Sequence, residues 1–124
     1  MGTLDRVLIV DDEPADRWLL ADALGEGNFQ HVEAENGFDA LRRVIDDDYQ
    51  AIVLDLKMPG MDGFGFLQAV EKEKPWMLKR VIVVTGGGRD SFGRVEKKVY
   101  SVIRKPFPIP DLVETVRQCI GTAA

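Results

Sequence analysis

The feature that most constrains this chain is an alternation. Short runs of apolar, largely β-branched residues end in turn chemistry, and each is followed by a stretch with helical periodicity. The runs Arg6–Val10, Ala51–Leu56, Arg80–Thr85 and Tyr100–Arg104 are apolar at successive positions, the pattern of strands covered on both faces of a parallel sheet. A weaker run, Gln30–Ala34, is more polar and suits a sheet edge. Between them, Pro14–Glu26 places Ala15, Leu19, Leu20, Ala23 and Leu24 on one stripe, with Pro14 at a tolerated first-turn position. Asn36 is placed to cap a helix whose apolar face is Phe38, Leu41, Val44 and Ile45. Phe64–Glu73 turns Phe66, Leu67 and Val70 inward and ends at Pro75, and a last helix runs over Ile109–Ile120. Connections this short permit only crossovers, so the fold class is α/β, a doubly wound parallel sheet built from right-handed βαβ units.

A chain of 124 residues, 45% hydrophobic and 30% charged, has the length of one domain, taken as residues 1–124, and can bury a respectable core. No apolar stretch approaches the span of a bilayer, and the N-terminus lacks the basic start and apolar core of a signal peptide, so a cytoplasmic protein with no membrane partner is expected. Gly2 does not open a myristoylation motif, because Arg6 stands where Ser or Thr is needed. A net charge of −5 argues against a nucleic-acid surface as the main role. Cys119, the only cysteine, excludes internal disulfides and thiolate metal clusters, and its place among Val113, Val116 and Ile120 reads as a buried helix position. His31, the only histidine, is far in sequence from Ser91 and Ser101, which leaves no Ser-His-Asp or Cys-His arrangement. Trp18 lies off the main stripe of its helix, divided between partial packing and an exposed partner contact.

In doubly wound sheets, ligands sit beyond the carboxyl ends of the strands. At those ends stand Asp11 and Asp12, Asp55, Thr85 and Lys105. This set makes a poor dinucleotide site, because Asp-Asp-Glu-Pro occupies the first strand-to-helix turn where glycines and a bare helix N-terminus would be needed. Gathered carboxylates repel one another by about 4 kcal/mol per pair at 4 Å in a partly screened site. A hard divalent cation offsets that repulsion, and Mg²⁺, which prefers one or two carboxylates plus phosphate oxygens, suits the set. A carboxylate is ionised at neutral pH and can act as a nucleophile without a general base, so Asp55, alone at its strand tip, is the candidate phosphoryl acceptor. Lys105 and the hydroxyl of Thr85 would share the charge on the transferred group. The triple glycine Gly86–Gly88 is followed by no Gly-Lys-Ser/Thr and reads as a loop.

The segments "VLIVDDEP", "AIVLDLKMPGMDG", "VIVVTG" and "IRKPF" resemble, in order and over essentially the whole chain, the landmarks of the receiver domain of two-component response regulators of the single-domain, CheY-like kind. That resemblance implies a flavodoxin-like, five-stranded sheet of order 2-1-3-4-5 flanked by five helices. It also implies transfer of a phosphoryl group to Asp55 from a phosphohistidine on a histidine kinase or histidine phosphotransfer protein, as in a phosphorelay. It further implies that Asp12, Asp55 and the backbone carbonyl of Lys57 hold Mg²⁺. Asp11 would order a metal-bound water, Thr85 would contact the phosphoryl oxygen, and Lys105 would pair with it. A cis Lys105–Pro106 peptide belongs to the same pattern, and acyl phosphates are expected to serve as alternative donors.

Two departures bear on signalling. Where receivers often carry Tyr or Phe three residues before the lysine, Val102 stands, and its stiff side chain cannot report by changing rotamer. Tyr100, two residues away and read as lying on the same strand face, is the candidate substitute. Gly86–Val99 is glycine-rich and basic, and a short or mobile fourth helix is expected there, with Arg89, Arg94, Lys97 and Lys98 available to an acidic partner or to solvent. Lys57 and Gly87 lie where receiver side chains influence water attack on the phosphoryl group.

The chain would catalyse its own phosphorylation and dephosphorylation without turning over a separate substrate. Unless the chain is a fragment excised from a larger protein, no output domain follows Ala124 and its response is expected to pass through another molecule. The rivals are a phosphorylation-independent interaction module and a small Asp55 phosphatase, the second lacking the Asp-x-Asp of haloacid-dehalogenase-type phosphatases because Leu56 and Lys57 follow Asp55.

Overall fold

The computed structural model describes residues 5–58, 60–86, 93 and 95–123. Five strands, β1 (Arg6–Val10), β2 (Gln30–Ala34), β3 (Ala51–Asp55), β4 (Val81–Thr85) and β5 (Ser101–Arg104), form one parallel sheet of order 2-1-3-4-5. Among the described residues the helices are α1 (Pro14–Glu26), α2 (Gly37–Asp46), α3 (Gly63–Glu73) and α4 (Ile109–Ala123), with a 3₁₀ segment at Pro75–Arg80 that the sequence pattern does not announce. The expected strands are present to within a residue, and β2 is at an edge as its polarity suggests. No helix among the described residues is long and apolar enough to cross a membrane.

Each inner strand divides its side chains between two cores, as the two-residue period of a strand requires. Leu8, Val10, Ile52, Leu54, Val81 and Val83 pack on one side with Ala40 and Val44 of α2, Phe66 and Val70 of α3, and Met77. Val7, Ile9, Val53, Ile82 and Val84 pack on the other with Leu20 and Leu24 of α1 and Leu112, Val116 and Cys119 of α4. Burial of each such side chain contributes about 1.5–3 kcal/mol, which is why the sheet is covered on both faces. Burial pushes the Cys119 thiol up to about 11, consistent with an inert helix position.

The helix faces depart from expectation in an instructive way. In α2 the buried positions are Gly37, Ala40 and Val44, while Phe38 is 63% and Ile45 46% exposed. The large side chains pulled the expected axis toward themselves, whereas packing close to the sheet favours the small ones. In α1, Ala15 and Leu19 are exposed, and the inward stripe runs instead Arg17, Leu20, Ala21, Leu24, the i, i+3, i+4, i+7 set headed by an arginine. Trp18 is exposed. The face of α3 is as expected, with Phe66, Leu67 and Val70 buried.

Local chemistry fixes the helix starts. The Asn36 side chain caps α2 by accepting from the Asp39 amide at 2.8 Å, and Asp62 caps α3 by accepting from Gly65 at 2.9 Å. Gly63 is required by close approach: a Cβ there would lie 2.6 Å from Leu56 Cα, and its amide donates to Leu56 O at 3.0 Å.

Half of Gly86–Val99 lies outside the described residues, including Gly87, Gly88, Arg89, Ser91 and Arg94. Its described end makes one turn, closed by the amides of Lys98 and Val99 on Val95 O, with Val95 and Val99 buried. Lys98 pairs with Glu71 at 3.2 Å, and Lys97 O accepts from Lys79 Nζ at 3.0 Å.

Candidate functional site

Register assembles the site. Val10 pairs with Leu54 and Asp55 with Val84, so Asp11 and Asp55 emerge side by side where β1 and β3 end. Thr85 pairs with Arg104, which sets Lys105 one residue past the neighbouring tip, and the Lys105 amide donates to Thr85 O at 2.8 Å. The strand order changes direction between β1 and β3, the position at which a doubly wound sheet opens a crevice.

Asp11 and Asp55 are buried, Asp12 is half-buried, and one carboxylate oxygen from each lies within 4.8 Å of the others. Asp55 is held from two sides: Oδ1 accepts from the Lys57 amide at 3.0 Å, and Oδ2 stands 3.5 Å from Lys105 Nζ. Asp11 Oδ1 accepts from the Glu13 amide at 2.9 Å. Burial pushes the Asp11 carboxyl up to about 6, and the Asp55 charge adds to this, against the Glu13 amide and Lys105, which favour the carboxylate. One ammonium therefore does not fully compensate the acids. Three oxygens at these separations, in a site short of positive charge, fit a hard divalent cation such as Mg²⁺. Thr85 is buried one residue past Val84, the β4 partner of Asp55, and the Lys105–Pro106 peptide is cis.

Beside the acids, a groove of about 320 Å³ runs between α1 and the segment after β5, walled by Leu19, Leu20, Val84, Phe107 and Ile109. Leu19 lines this groove rather than the core, the physical reason for its exposure. His31 Nε2 lies 3.8 Å from Glu33 Oε2 on β2.

Val102 and Tyr100 do not share a face. Val102 packs with the α2 and α3 core, whereas Tyr100 precedes the first residue of β5 and packs with the α1 and α4 core. The expectation of a common face is thus corrected: the strand period does not extend to a residue outside the strand.

Sequence reasoning passed over Arg17. Its Nη1 donates to the carbonyl of Asp11 at 2.7 Å, and its Nε to Glu33 Oε1 at 3.2 Å. The signal was present: an arginine heads the inward i, i+3, i+4, i+7 stripe of an otherwise amphipathic helix.

A family model described as the response regulator receiver domain matches residues 7–117. The "Probable chemotaxis protein CheY" of Rhizobium etli is 30% identical over 94% of this chain and 92% of its own length. The transcriptional regulatory protein TcrA of Mycobacterium tuberculosis is also 30% identical, and the chain spans 44% of that protein's length. Among solved structures, the response regulator protein TrrA from Thermotoga maritima, in complex with Mg²⁺-BeF, is 29% identical with a TM-score of 0.83, covering 94% of this chain and 99% of that one. A CheY-like receiver domain protein from Methanospirillum hungatei, 24% identical with a TM-score of 0.88 over 97% of this chain and 96% of its own, shares the fold. Motif, sheet order and comparison agree, and the chain belongs to the receiver domain family of two-component response regulators.

Proposed function

We propose that Asp55 accepts a phosphoryl group from a phosphohistidine on a histidine kinase or phosphotransfer protein in a Mg²⁺-dependent step. The observation that carries this reading is the meeting of Asp55 with Asp11, Asp12 and Lys105, one cation and three carboxylates from strand tips distant in sequence. An Asp55 oxygen forms the new bond to phosphorus while the bond from phosphorus to the imidazole nitrogen breaks, and that nitrogen keeps the electron pair and takes a proton from solvent. Mg²⁺, when bound, neutralises charge on the phosphoryl oxygens. Asp12, Asp55 and the Lys57 carbonyl would hold it, Asp11 would order one of its waters, Lys105 would pair with the phosphoryl group and the Thr85 hydroxyl would contact it. The TrrA complex with Mg²⁺-BeF supports the ion. The rest of the reading is a cytoplasmic switch or relay acting on a protein target, with the chain's acidity supporting protein over nucleic-acid or membrane partners.

Incubation with acetyl phosphate or phosphoramidate and MgCl₂ should add one phosphate, seen by intact-protein mass spectrometry. The adduct should be absent without the ion, absent in Asp55→Asn, and removed by hydroxylamine. No adduct from small donors or from any phosphorylated histidine kinase would leave the interaction-module reading in its place.

A further inference from the structure

Both sides of Asp11 are tied down. Its amide donates to Ala34 O of β2 at 3.2 Å, and its carbonyl accepts from Arg17 Nη1 at 2.7 Å. That carbonyl belongs to the planar peptide joining Asp11 to Asp12, so whatever fixes it also fixes the direction in which Asp12 leaves the strand. The guanidinium is itself aimed. The Arg17 side chain is 13% exposed, and its Nε is paired with Glu33 on β2, a charge-assisted contact that leaves the fork little freedom.

We infer that Arg17, oriented by Glu33, is a positioning residue for the divalent-ion cup, acting through the Asp11–Asp12 peptide and touching neither ion nor phosphoryl group. The inference rests on the Mg²⁺ reading above. Two effects of Arg17 on a nearby cation have opposite signs. Its charge repels the ion, which lowers affinity, while its hold on the peptide keeps the Asp12 carboxylate near those of Asp11 and Asp55, which raises it. Glu33 cancels much of the charge at contact distance, so the positioning effect wins. Lost outer-sphere partners commonly weaken a metal site by about 10- to 100-fold, and a partner acting through backbone belongs at or below the lower end.

The test is calorimetric titration of the folded protein with MgCl₂, in the parent, Arg17→Met, Arg17→Lys, Glu33→Gln and, as a control for destabilisation on the same helix away from the cup, Leu24→Ala. Arg17→Met should weaken Mg²⁺ binding by about 3- to 10-fold, with partial recovery in Arg17→Lys, a shift in the same direction in Glu33→Gln, and unchanged affinity in Leu24→Ala despite a lower Tm. Affinity that is unchanged or tighter in Arg17→Met overturns the inference. If that variant does not fold, Glu33→Gln decides, and unchanged affinity there overturns it equally. A parent that takes up no Mg²⁺ removes the ion reading itself, whereas a parent that binds beside variants that bind equally well removes only the role of Arg17.

Discussion

Lys105 Nζ stands 3.5 Å from Asp55 Oδ2 across 50 residues of sequence. The pair is partly exposed, and solvent screening keeps its contribution to stability small, about 1 kcal/mol or less. On the proposed reading, it places a cation where the phosphoryl group would arrive. Lys105→Met should therefore leave the thermal midpoint nearly unchanged while slowing phosphorylation by phosphoramidate about 100-fold or more, the usual scale for losing one preorganised charge donor. Stopped-time mass spectrometry alongside a thermal melt checks both halves.

Asp11 gives a pH dependence with a definite sign. Its carboxyl is pushed up from 3.8 to about 6, first by burial and further by Asp55. The folded state thus holds this proton more tightly than the unfolded chain. The resulting stabilisation is fully present below about pH 4 and is lost as pH rises through about 6. Asp11→Asn keeps an acceptor for the Glu13 amide and removes the charge. In ion-free buffer at pH 7.5 the variant should be more stable than the parent by about 1–3 kcal/mol, with the gap closing toward pH 4. Chemical denaturation across that range measures it.

Gly63 is placed by contact rather than by dihedral angle. A methyl group there would press on the backbone of Leu56 and Asp55 as well as on the Leu56 side chain, and the two backbone contacts cannot be relieved by a change of rotamer. Gly63→Ala should cost about 2–4 kcal/mol, read from urea midpoints at constant slope.

The two phenylalanines at helix positions that look alike in sequence should part company. Phe66 is fully buried, and Phe66→Ala should cost about 3–5 kcal/mol. Phe38 is 63% exposed, and Phe38→Ser should stay within about 0.5 kcal/mol of the parent. A large loss at Phe38 would mean that the α2 face is the one its bulky residues suggest.

Strands and acid cluster were legible because both obey short-range rules. β-branched runs mark strands, and charges at their ends mark the rim. The axis of α2 was not, since Ala40 and Val44 carry less hydrophobic weight than Phe38 and Ile45 yet are the residues small enough to approach the sheet. Arg17 was passed over for the complementary reason: a charge on a core-facing stripe looks like noise until a carbonyl is found at its end. Tyr100 shows where periodicity stops, one residue before the strand begins. The order of the sheet came from resemblance alone, because alternation by itself allows several.

Asp11, Asp55, Thr85 and Lys105 stand at the tips of β1, β3, β4 and β5, so no short fragment of the chain contains a miniature of the site. On the ribosome, a nascent chain shows Asp55 to the cell well before Lys105 has left the exit tunnel. During that interval Asp55 stands without the Lys105 ammonium that flanks it in the folded sheet. On the proposed reading, the ability to accept a phosphoryl group is thereby tied to completion of the sheet.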